Sequence, residues 1–197
     1  MTSGIWMSLP QSISQKHAVF NPINLDDECF KYAIGARLFP NDKMYNIYCQ
    51  KYKVQIEQSF DWSGIPFPTP ESQIIIFEEN NDANVNIYAL VEENKVFRYR
   101  ASTNYNASPN HCFDLLRLRD KDKSHFYVYI KDLYRLIGRQ KNQRRCKKFI
   151  CRACMTVCWT QEALDKHQRF CAKYKSAEAV MPSDEKRQNI VEYKWSE

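Results

Sequence analysis

A chain of 197 residues with 44% apolar content is long enough for one sizeable core and a small appendix. Its formal charge of +6 is unevenly placed: Arg135, Arg139, Lys141, Arg144, Arg145, Lys147, Lys148 and Arg152 follow one another with no acidic residue between Leu133 and Arg152, whereas Asp26, Asp27 and Glu28, and Glu78 with Glu79, form local acidic groups. No N-terminal segment has the charged-then-apolar layout of a secretory signal and no apolar run is long enough to span a bilayer, so the reading excludes a membrane partner and expects a reducing compartment, nuclear or cytoplasmic.

In chain order, Met1 to Phe20 mixes Ser, Gln and isolated apolar residues without a period and is expected to be a loosely held arm. Asn21-Pro22 marks a turn, and Leu25-Asp26-Asp27-Glu28 leads into a helix from Cys29 to Leu38 that stops before Pro40. The acidic residues suit the positive end of that helix, with Cys29 at its start. Met44 to Ser59 reads as a second helix with Tyr45, Tyr48, Tyr52 and Ile56 on one core-facing stripe. Two prolines and a glycine make Trp62 to Pro68 a structured loop. Strands are expected over Ile74 to Phe77, Val85 to Val91, Val96 to Arg100, Cys112 to Leu118 and Phe126 to Ile130, with Glu92 to Lys95 as a hairpin turn. Lys131 to Ile137 adds a short helix ended by Gly138. The fold class is α+β: a mainly antiparallel sheet with N-terminal helices over residues 21–137, then a basic linker over 138–148, a small ββα zinc finger over 149–175 and a polar tail over 176–197.

The strongest chemical signal is C-x2-C-x12-H-x3-C, formed by Cys151, Cys154, His167 and Cys171. Two thiolates on a tight turn and a His/Cys pair one helical turn apart can close a tetrahedral shell around Zn2+. Thr160 is placed to cap a helix running to Cys171, with Leu164, His167 and Cys171 on one face. Phe149, Cys158 and Leu164 would form the small core beneath the metal. So small a unit folds only with its metal, and chelation is expected to unfold this segment first.

By analogy with DNA-reading fingers, Thr160, Glu162, Ala163 and Lys166 would face a groove. They include no guanine-reading arginine and no adenine-reading asparagine, and one finger covers only about three base pairs. Sequence-specific reading is therefore not expected. Arg139, Lys141, Arg144, Arg145, Lys147, Lys148 and Arg152 instead suit non-specific contact with a nucleic-acid phosphate backbone, with the finger as a docking knob for nucleic acid or for a protein partner. The same basic run also fits a solvated linker or a nuclear-import signal.

Several separated motifs agree in order: Asn21-Pro22-Ile23-Asn24 with Asp26 to Ala33, Trp62 to Pro68, Val85 to Tyr88, His125-Phe126 with Leu133 and Leu136, the finger, and Met181-Pro182. Together they resemble the region upstream of the protein-primed family B DNA polymerase in Polinton/Maverick-like mobile elements, over roughly Asn21 to Tyr193. In that family the chain continues past the Met-Pro segment toward a polymerase or nuclease region, so no polymerase activity is carried to these residues. Related sequences place an aromatic where this chain has Cys158, which thins the finger's core but leaves the ligands intact. The main domain also resembles papain-like and ovarian-tumour-type cysteine proteases, whose nucleophile opens a helix and whose histidine starts a later strand. That resemblance implies Cys29 as nucleophile and His125 as base, with Asp132 as the nearest acidic residue to hold the imidazole. The three carboxylates before Cys29 oppose a thiolate there, and the other reading is a buried structural cysteine beside an unrelated strand histidine.

Overall fold

The structure is a computed structural model that describes residues 6–40, 42, 44–91, 95–104, 107–119, 125–141 and 149–173. A central five-stranded sheet is built from β1 (Val19–Phe20), β2 (Asn84–Val91), β3 (Lys95–Arg100), β4 (Cys112–Arg119) and β5 (His125–Ile130), in the order β1-β5-β4-β2-β3. All neighbours pair antiparallel except β2 and β4, which run parallel from Asn84 opposite Cys112 to Ala89 opposite Arg117. The expected α+β class with a mainly antiparallel sheet is what the chain forms.

The parallel pair exists because β3 is the outer arm of a hairpin with β2, and the chain must then return past the start of β2 to lay β4 on its other side. Polar side chains pin that crossover. Asn84 Nδ2 donates to the Asn104 carbonyl (2.6 Å), the Ser102 N–H donates to Asn86 Oδ1 (3.2 Å), and the two asparagines bond each other (2.8 Å). These buried amides remove the cost of burying loop backbone without a partner.

Strand alternation gives the sheet two apolar faces. Phe113 and Tyr127 point to one face, where Phe30 of α2 (Cys29–Gly35) meets Phe77 and Tyr127 edge-on at 5.6 Å each. The helices α3 (Tyr45–Tyr48), α4 (Lys53–Ser59) and α5 (Ile74–Asn81) complete this layer. The expected single helix over Met44 to Ser59 is two helices joined by a 3-10 turn at Cys49–Tyr52. Lys31 of α2 is buried, paired with Glu28 (3.0 Å) and with Glu57 of α4 (2.9 Å) and lying 4.6 Å over the Phe67 ring of the Trp62 to Pro68 loop.

Two sequence expectations change here. Ile74 to Phe77 is not a strand but the first turn of α5. Its β-branched run imitates a strand, yet Ile74, Phe77 and Glu78 turn inward at helical spacing, Ile75 is left 47% exposed, and Asp82 (φ 45°) ends the helix in the left-handed region. The second half of the expected N-terminal arm is also ordered. One helical turn, α1 (Gln11–Ser14), buries Ile13, and β1 pairs Val19 with Ile130.

Gly35 is required by close approach. A Cβ there would meet the Tyr45 hydroxyl at 2.6 Å and Ile56 Cγ1 at 2.7 Å, and that hydroxyl is itself held by the Tyr32 carbonyl at 2.6 Å. Gly35→Ala should therefore cost about 1–3 kcal/mol through overpacking of α2 against α4. A urea melt measures this, and an unmoved midpoint would show that the two helices part freely.

The sheet's other face carries Leu116, Phe126 and Val128 and is covered by α6 (Leu133–Lys141), through Leu133, Leu136 and Ile137, and by residues from 149 onward. Ile150, Met155 and Val157 belong to the same apolar cluster as the sheet. Packing is thus continuous across Phe149, where the sequence reading draws a boundary. Residues 142–148, most of the expected linker, lie outside the described residues.

Candidate metal centre

The short strands β6 (Phe149–Ile150) and β7 (Val157–Cys158) pair antiparallel, and the turn between them is shaped by backbone bonds: Met155 N–H to Cys151 O (2.8 Å) and Cys151 N–H to Thr156 O (2.9 Å). Met155 takes φ 60°, which closes the turn and places its side chain against the main core. The helix α7 (Gln161–Lys173) follows, with the Thr160 hydroxyl accepting the Ala163 N–H at 3.1 Å as the spacing anticipates. Leu164 points inward to join Cys151 and Cys158, with Phe149 beside them.

This framework brings Cys151, Cys154, His167 and Cys171 together. Their ligand atoms all lie within 4.8 Å of one another. The Cys151 and Cys171 sulfurs are 3.8 Å apart, close to the edge of about 3.8 Å that a tetrahedron of thiolates around zinc requires. Cys154 Sγ stands 3.0 Å from His167 Nε2, tighter than the roughly 3.6 Å of a filled site. The donor set fits a metal ion, and the three sulfurs and one imidazole match zinc chemistry.

The thiols of the cluster differ in how readily they ionise. Burial opposes ionisation of Cys154, but its contacts with Thr156, His167 and Cys151 prevail and bring it down to about 7. Cys151 is pushed up, chiefly by burial. Cys171 is pushed up to about 12, first by burial and then by the neighbouring Cys151 and Cys154. One thiolate forms readily and the next two are resisted, a balance that a divalent ion reverses.

The unit is anchored to the sheet by a pair the sequence reading did not foresee. Arg152, expected among the phosphate-contacting residues, donates from Nε to Asp114 Oδ2 at 2.7 Å, and Asp114 Oδ1 also accepts from Asn86 at 3.2 Å. The sequence signal for it is polar Asn84, Asn86 and Asp114 at the starts of strands whose middles are apolar. Thr160, Glu162, Ala163 and Lys166 are all exposed on α7 or its cap. Arg144, Arg145, Lys147 and Lys148 lie outside the described residues. Arg139 and Lys141 fall on the last turns of α6, and their side chains also lie outside what is described.

Upstream, Cys29 is the first residue of α2, as expected, but it is only 4% exposed. Burial, reinforced by Asp26 and Asp27, pushes its thiol up to about 11, against the pull of backbone hydrogen bonds at Tyr127 and Phe30. Tyr127 lies two residues along β5 from His125, whose backbone pairs with Arg119 and whose side chain lies outside the described residues. Asp132 is exposed and accepts the Arg135 N–H at 2.8 Å, so it caps the start of α6. A thiol held near 11 should react with iodoacetamide only slowly at pH 7 and accelerate as pH rises toward 11. The sign for stability follows: the buried thiol's contribution is complete below its ordinary 9.0 and is lost as pH rises through about 11. Mass-spectrometric labelling rates across that range check both; full labelling at neutral pH would contradict the burial argument.

Among the described residues no helix is long and apolar enough to cross a membrane. No protein-family model, no curated protein and no solved structure matches the chain.

Proposed function

We propose that the chain is a zinc-binding, nucleic-acid-associated module, related to the replication region of Polinton/Maverick-like elements that its motifs resemble. In this reading Cys151, Cys154, His167 and Cys171 hold a structural Zn2+ in a ββα finger. The observation that supports it is the convergence of four protein ligands, which fills a tetrahedral shell and leaves no open position for a substrate. Zinc then shapes and docks the unit and performs no chemistry of its own. Contact with nucleic acid falls to the basic run from Arg139 to Arg152, acting on phosphates without reading bases.

A salt series with a short fluorescent duplex tests this. Replacing Arg144, Arg145, Lys147 and Lys148 by glutamine should flatten the dependence of log affinity on log salt by about 0.9 for each phosphate that is no longer neutralised. Binding indifferent to salt or to those replacements would defeat the electrostatic account and favour a protein partner on the finger, where Trp159 and Phe170 are exposed.

A cysteine-hydrolase reading has one observation in its favour: Cys29 opens α2 beside β5, the strand that His125 begins. The labelling experiment decides it, since that reading needs a reactive Cys29 at neutral pH.

A further inference from the structure

A cleft of about 370 Å³ lies between the sheet and the Cys/His unit, with Asn84, Asn86, Ser102 and Cys112 on the sheet side and Arg152 and Arg169 facing them. Its size falls within the range of small-ligand sites. The sheet side is rigid, because the buried asparagines and Ser102 are bonded to one another and to the crossover. Their hydrogen-bonding capacity is largely spent on the fold.

Recognition therefore falls to the opposite wall. Arg152 is fixed by its Nε on Asp114, and that bond does not use its two terminal amino groups. Arg169 and Gln168 of α7 line the cleft as well, so a second guanidinium and an amide are within reach of it. Among the described residues the lining contains no carboxylate; the Cys151 and Cys171 thiols border it and Asp114 lies behind the wall, so the case for an anion rests on hydrogen-bond donors and not on net charge. Two guanidiniums and an amide in one concavity offer more donors than the two oxygens of a carboxylate can accept, whereas a phosphate has enough oxygens for all of them.

We propose that this cleft binds a phosphate group, held between Arg152 and Arg169 at the junction of the sheet and the Cys/His unit. The inference goes beyond the preceding one, because the cleft takes a phosphate whether or not residues 139–148 touch nucleic acid. The group can be a free phosphate or the end of a nucleotide chain.

The test is calorimetric titration of the zinc-loaded full chain, separately with inorganic phosphate and with a 5′-phosphorylated dithymidine. Equal binding of both assigns free phosphate, and binding of the dinucleotide alone assigns a nucleotide end. In either case Arg169→Gln should weaken binding about tenfold, the effect of removing one charge-assisted hydrogen-bonding group. Arg169→Lys, which keeps the charge but not the fork, should recover part of it. Arg169 is exposed on α7, so zinc content and circular dichroism should be unchanged in both variants. Lys147→Gln with Lys148→Gln should leave the titration unaltered, which separates the cleft from the basic segment. Absence of binding by both probes at millimolar concentration, no effect of Arg169→Gln, or equal weakening by the lysine replacements would each overturn the assignment.

Discussion

In the zinc-loaded chain proposed above, a chelator is expected to melt the second face of the sheet together with the Cys/His segment, in one transition. The reason lies in what the segment covers. Ile150 and Met155 are buried in the main apolar cluster with Val157 half-buried against it, and a fully buried side chain of this kind is worth about 1.5–3 kcal/mol. Losing these contacts removes a large share of the stability of a typical domain, roughly 5–15 kcal/mol. Structural zinc sites supply about 10–16 kcal/mol of apparent binding energy at neutral pH, enough to hold such a cover in place. The midpoint of thermal unfolding should fall by about 10 °C or more with a chelator, and equally with Cys154→Ala. Scanning calorimetry with and without the chelator reads this directly. A main transition that stays put while only the signal of the Cys/His segment disappears would show two independent units, as the sequence alone leads one to expect.

The second large effect is expected from Arg152→Ala. Asp114 has a side chain only 7% exposed and is served by Arg152 and by one asparagine amide. Removing the arginine leaves a buried carboxylate short of its cation, a change that costs about 3–5 kcal/mol in closed interiors. Arg152 is itself 52% exposed, so water will reach the gap and the cost should settle below that range, at about 2–3 kcal/mol. Asp114→Asn in the same background should return part of the loss, because the neutral amide needs no counter-ion. A double-mutant cycle followed by urea unfolding isolates the pair energy. A loss below about 0.5 kcal/mol would place this bridge with ordinary surface pairs.

The Cys/His cluster was legible in the sequence because the information is local. Cys151 and Cys154 share a turn, and His167 and Cys171 share a helix face, so spacing alone specifies the geometry. The sheet was legible for a related reason: Val85 to Val91 and Phe126 to Ile130 carry period-two or continuous apolar runs that leave few alternatives. Ile74 to Phe77 misled because three isoleucines favour a strand locally, while the deciding facts, the burial of Phe77 against Phe30 and the left-handed stop at Asp82, come from tertiary packing and from a residue outside the run. The anchoring of the Cys/His unit was hidden for the same cause. Asp114 and Arg152 are distant in the chain, and nothing around either one names the other. Cys29 divides in the same way: its place at a helix start can be read from residues 25–38, but the burial that keeps its thiol protonated belongs to the assembled core.

The edge strand β1 has a consequence for how the molecule is made. Val19 must wait for Ile130, and β2 must wait for β4, so two of the sheet's four ladders, β1-β5 above all, join parts of the chain that leave the ribosome at different times. Such long-range closure delays folding until the partner strands exist, because loop entropy is spent before any contact returns it. During synthesis the apolar face of α2, with Phe30 and Ile34, has no sheet to lie on. The sheet in turn stays open on its far side until Ile150 and Met155 arrive. Synthesis thus passes through an interval of exposed apolar surface, in which a chaperone's protection would matter most and which closes only when the last cysteine of the cluster, Cys171, has been added.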